Sequence, residues 1–102
     1  MLIEKPTVNP PGDTTQAAEV TASLLSSIGF SVELIKAKDQ KVNVVAEWDT
    51  GQTEDVLFNG HLDTVPIGDQ SLWKLDPFKA EVSEGWMYGL SLIHISEPTR
   101  PY

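Results

Sequence analysis

The 102-residue chain reads as an α/β fold, a helix followed by a mixed sheet. Three observations predict it. Apolar residues recur at helical spacing between Ala17 and Ile28. Two strand-like segments rich in Val and Ile follow, over 30–36 and 42–48. A third, Val56 to His61, is an almost unbroken apolar run, the pattern of a strand covered on both faces in the middle of an α/β sheet.

Pro10 to Gly12 compose a turn, Asp13 stands as the expected N-cap, and Gln16 occupies the capping-box position three residues later. Ala17, Val20, Leu24, Leu25 and Ile28 form the expected core stripe of the helix, and Gly29 sits where a C′ glycine would end it. In the first strand Phe30, Val32 and Leu34 alternate with Ser31, Glu33 and Ile35; Lys38-Asp39-Gln40-Lys41 is a polar turn. Asp49 to Asp55 is a solvated loop and residues 67–78 an irregular one. Lys79 to Val82 with Trp86 to Gly89 suggest a hairpin about Ser83-Glu84-Gly85. There is no internal repeat or low-complexity stretch.

A chain of this length makes one small domain at most and buries about 60 to 65% of its unfolded surface, enough for a modest core. Its composition, 40% hydrophobic and 22% charged, is ordinary for a globular protein. The net charge of −8 argues against nucleic acid and anionic membranes as partners, because phosphate-tracking proteins concentrate Lys and Arg. With no cysteine, disulfides and thiolate metal sites are excluded, and any zinc would need N and O ligands. That suits a reducing cytoplasm. Met1 to Pro6 lacks the basic start and apolar core of a signal peptide, and no apolar run approaches membrane-spanning length. A signal segment lost from upstream stays open.

The chemistry concentrates where the third strand runs into His61-Leu62-Asp63. In an extended segment alternate side chains leave on one side, so Asp63 can reach His61. A metal-bound imidazole nearly always gives its second N–H to a carboxylate or carbonyl, which fixes the tautomer and raises ligand basicity. His61 is therefore the candidate metal ligand and Asp63 its clamp. A lone His-x-Asp is weak evidence, since a histidine at a strand end more often satisfies a local hydrogen bond. Ligands of open α/β sheets do gather beyond the carboxyl ends of strands, where this pair lies.

The eleven residues Val56 to Pro66 resemble the first metal-binding motif of the M20 metallopeptidase family, which includes acetylornithine deacetylase, succinyl-diaminopimelate desuccinylase, aminoacylase and carboxypeptidase G. Val8-Asn9-Pro10-Pro11-Gly12, Asn43-Val44-Val45-Ala46, Trp73 with Asp76-Pro77-Phe78, and Met87-Tyr88-Gly89 agree in the family's order. The resemblance covers roughly residues 3 to 89 and implies the N-terminal part of an α/β-sandwich catalytic domain. It implies hydrolysis of an amide bond in N-acyl amino acids or small peptides by a pair of zinc ions, cobalt being an alternative metal. A glutamate acts as general base, and the full-length protein can be a homodimer. Asp63 matches the position often described as an active-site aspartate. The bridging aspartate, the general base and the other ligands have no counterpart in this chain, so the parent is expected to be an enzyme and the chain itself inactive.

After Gly89 the family pattern wants Arg-Gly and a nearby aspartate. Leu90 to Arg100 instead resembles, without a break, the in-frame translation of a transposase-type sequencing-library adapter. Residues 1–89 therefore read as a true coding fragment and 90–102 as a non-native tail, which leaves His94 without a message. The bland alternative is a natural short strand, Leu92 to Ile95. A competing function is a small non-catalytic α/β binding module whose His-x-Asp is structural. Trp48, Trp73 and Trp86 read as rings covering an edge or sealing a loop. Phe78 is expected to anchor its loop, and Asp69 and Asp76 to cap turns or solvate the surface.

Overall fold

Helix α1 (Thr15–Ser27) packs on an antiparallel hairpin of β1 (Ser31–Lys38) and β2 (Lys41–Glu47). A second, shorter hairpin pairs β3 (Val82–Ser83) with β4 (Trp86–Met87). The structure is a computed structural model and describes residues 1–90. The suggested strand Leu92 to Ile95 and all but the first residue of the proposed tail lie outside the described residues. The α/β class is as the sequence predicts, with one helical layer on a two-stranded one.

The helix starts one residue later than expected. Thr14 is the N-cap residue, but its hydroxyl is turned to the sheet, accepting from the Val42 N–H and lying 2.9 Å from the Val42 carbonyl. Asp13 takes over as an acceptor, its Oδ1 receiving the Thr15 N–H at 3.0 Å in a local turn. This backbone bond is the main reason the Asp13 carboxyl sits below the usual carboxylate range. At the other end Gly29 has φ 108°, and the Gly29 and Phe30 N–H groups return to Ser26 and Leu25, the Schellman pattern that satisfies the last carbonyls. Gly29 thus ends the helix as the spacing predicts.

The two hairpins follow their turn chemistry. Asp39-Gln40 closes β1 to β2, with Gln40 at φ 62°, and Glu84-Gly85 closes β3 to β4 with both residues at positive φ, as a type I′ turn requires. Phe30 and Trp48, flanking the first hairpin, meet edge to face at 5.3 Å. Trp73 donates its indole N–H to the Ile67 carbonyl and so seals the 67–73 loop. Trp86 is 71% exposed.

The core is thinner than the helical stripe predicts. Ala17 and Ala18 are buried, and Pro77 is the largest fully buried side chain among the described residues, but Leu24 and Ile28 are 60% and 55% exposed. A two-stranded layer covers the start of the helix and leaves its second half to solvent. The larger departure is the third strand. Val56 to His61 forms no strand and joins no ladder among the described residues, and Val56, Leu57 and Phe58 are over 80% exposed instead of covered on both faces. A central strand is held by non-local partners on both edges, and none of the described residues fills that place. Phe78 is half-buried beside Pro77, while Asp76 and Asp69 cap turns through the N–H groups of Phe78 and Ser71.

Candidate functional site

The His61-x-Asp63 segment is anchored from the chain's beginning. Val8 and Thr64 form an isolated parallel bridge, in which the Thr64 N–H donates to the Thr7 carbonyl at 3.1 Å and the Asn9 N–H to the Thr64 carbonyl at 2.7 Å. The buried Thr7 adds its hydroxyl, donated to the Leu62 carbonyl at 2.6 Å. Residues 7–9 therefore act as a strap across 62–64. The strap is stabilised behind by the 10–12 turn, where the Gly12 N–H returns to the Val8 carbonyl and the Lys41 ammonium donates to the Pro11 and Gly12 carbonyls. Gly12 has φ 67°, a left-handed conformation that favours glycine, and a Cβ there would crowd the Asn9 side chain at 3.1 Å from its Cγ.

On this strap the two residues singled out by sequence come together. His61 Nδ1 lies 3.1 Å from Asp63 Oδ1 and 2.9 Å from the Asp63 backbone carbonyl. The pairing expected from strand alternation is present, although the segment belongs to no ladder. A carbonyl oxygen only accepts, so Nδ1 is the protonated nitrogen and the lone pair of the neutral ring is on Nε2. That is the tautomer a metal ligand bonding through Nε2 needs. The backbone carbonyl shares the role that the sequence assigned to the carboxylate alone.

The second carboxylate oxygen, Oδ2, accepts the Asn9 side-chain N–H at 2.9 Å. This bond is the main influence holding the Asp63 carboxyl below its usual range; partial burial opposes it and His61 adds to it. Asp63 is therefore an anion with both oxygens in use. Asn9 was not among the sequence candidates. It stands in the quoted Val8-to-Gly12 motif, but nothing in spacing shows that a residue 54 positions away reaches Asp63.

The pair is at the edge of an open cleft of 1510 Å3, lined along one side by β2 and along the other by residues 55–63. A smaller, mainly apolar pocket of 150 Å3 lies behind the strap, lined by Ile3, Thr7, Ala17, Leu62, Thr64 and Phe78. Among the described residues no group of three or more His, Cys, Asp or Glu side chains is placed to hold a metal ion. His61 has the tautomer of a ligand, but zinc takes three or four, so the described residues do not make a metal site by themselves.

Residues 57–99 match the sequence model of peptidase family M20/M25/M40, a stretch that contains His61 and Asp63. That match and the relatives below support an M20 family fragment. It is 39% identical over 89 residues to succinyl-diaminopimelate desuccinylase 1 of Ruegeria sp. (strain TM1040), the aligned region being 86% of this chain and 23% of that protein. It is 36% and 34% identical over the same lengths to the succinyl-diaminopimelate desuccinylases of Dinoroseobacter shibae and Cereibacter sphaeroides (strain ATCC 17029). The chain thus spans about a quarter of the length of the curated relatives it matches. No solved structure matches it. Among the described residues, no helix is long and apolar enough to cross a membrane.

Proposed function

We propose that residues 1–89 are part of the catalytic domain of a zinc-dependent M20 amidohydrolase that removes an acyl group from an N-acyl amino acid. The likeness to succinyl-diaminopimelate desuccinylases favours a succinyl group. The observation that carries the reading is the His61–Asp63 pair, in its ligand-ready tautomer, inside the segment matched to the family. Asp63 orients the imidazole and keeps the proton on Nδ1; His61 is the metal ligand through Nε2. The remaining ligands and the general base are supplied by parts of the parent beyond the described residues. A cytoplasmic location, homodimerisation of the full-length protein and a small-molecule substrate belong to the same reading. Purified full-length protein and the 102-residue chain, assayed side by side on N-succinyl and N-acetyl amino acids with zinc or cobalt, test it. The full-length protein turns over and is silenced by a chelator, and the chain alone does not turn over. Chelator-sensitive turnover by the chain itself would overturn the reading.

Residues 90–102 we propose to be a non-native tail, on the strength of the adapter-like sequence from Leu90 to Arg100. The family match runs on to residue 99 and the relatives align over 89 residues, so neither marks a boundary at Gly89. Amplifying source DNA across codon 89 is the check. Arg-Gly and a nearby aspartate are expected there; recovery of the Leu90-to-Arg100 codons would refute the tail and favour the non-catalytic module.

A further inference from the structure

Asn9 makes two bonds to the His-x-Asp segment, one from its backbone N–H to the Thr64 carbonyl and one from its side chain to Asp63 Oδ2. The first only holds the strap in place. The second reaches the carboxylate itself, and its chemistry is specific. An amide nitrogen is a pure donor, matched to the one Asp63 oxygen that His61 does not use. Carboxylates turn easily about their last torsion, whose energy profile is broad and roughly two-fold. His61 and Asp63 side chains are 44% and 39% exposed, so water competes for both partners. A donor fixed to one oxygen removes that freedom.

We infer that Asn9 is a positioning residue for the His61–Asp63 pair, clamping Oδ2 so that Oδ1 stays on the Nδ1–H and the ring keeps its lone pair on Nε2. The inference rests on that pair being the functional site. The surroundings are built for it. The Asn9 backbone is fixed by the Val8–Thr64 bridge, and Gly12, lacking a Cβ, leaves the space that the Asn9 side chain occupies. Asp at position 9 has nearly the same shape but presents an acceptor to an acceptor, so the clamp and the shape can be separated experimentally.

The measurement is the His61 tautomer, read from long-range proton–nitrogen correlations in the 15N-labelled 102-residue chain. The native chain gives mainly the Nδ1–H form. Asn9→Ala and Asn9→Asp lower the Nδ1–H fraction in favour of Nε2–H, the Asp63 carbonyl retaining part of it, while the Thr64 amide signal, which reports the bridge, keeps its position. In an Asp63→Ala background Asn9→Ala adds no further shift, because Asn9 acts through Asp63. An unchanged tautomer in both single variants, or a further shift in the Asp63→Ala background, overturns the inference. Should the variants fail to fold, the native chain still decides. One Asn9 side-chain proton is displaced downfield from its twin and the displacement disappears in Asp63→Ala; an undisplaced pair overturns the inference. Failure here is separable from failure of the hydrolase reading, which depends on turnover by the full-length protein.

Discussion

His61→Ala in the full-length protein lowers turnover of an N-acyl amino acid by more than about 100-fold, and Asp63→Ala lowers it by about 10 to 100-fold. The second range is the usual effect of removing the partner that orients a metal-bound histidine, and loss of the ligand itself exceeds it. The order follows from the site's construction. Without Asp63 the side chain of His61 loses one of the two acceptors on Nδ1, while without His61 the donor itself is gone. Steady-state kinetics with a parallel measurement of bound zinc decides between a metal role and a structural one. Equal activity and full zinc content in His61→Ala would move the chemistry elsewhere in the protein.

The isolated 102-residue chain self-associates, and Phe58→Lys weakens the association by roughly 10-fold or more. Val56, Leu57 and Phe58 are 82%, 88% and 91% exposed and contiguous, the kind of apolar patch that a stable monomer seldom shows. Among the described residues the outer edge of β2 has no ladder partner. Burying a Phe side chain contributes about 1.5 to 3 kcal/mol, which converts to about one to two powers of ten in affinity. The net charge of −8 opposes association, but at physiological ionic strength it is screened beyond about 8 Å. Added salt therefore strengthens the association. Sedimentation velocity over a range of protein and salt concentrations checks both statements; a native chain that stays monomeric throughout would show that the patch is covered.

What was legible in the sequence is what nearby residues decide. The helix end at Gly29, the polar turn at Asp39-Gln40 and the hairpin at Glu84-Gly85 each depend on backbone preferences within a few positions, and all three are in the structure. The His61–Asp63 contact is local too, two residues apart. The failures are non-local. Val56 to His61 has the composition of a central strand, but composition cannot supply the neighbours that make a ladder, and Leu24 and Ile28 have the spacing of a core without a layer to cover them. Thr14 displaced Asp13 as N-cap because β2, nearly 30 positions on, offered its hydroxyl better partners. Asn9 was invisible for the same reason: its target is far along the chain.

The strap of residues 7–9 sets an order of assembly. Its partners, Leu62, Asp63 and Thr64, are 54 or more positions away, and closing a flexible loop of that length costs on the order of 3.5 kcal/mol of chain entropy. Helix α1 and the β1–β2 hairpin lie inside the loop and form from local contacts, which draws its ends together before they meet. During synthesis the strap, made 54 residues earlier, therefore waits unpaired until the His61 segment emerges. A deletion of the first nine residues, which removes no candidate ligand, leaves the histidine with its neighbours in sequence and without its seat.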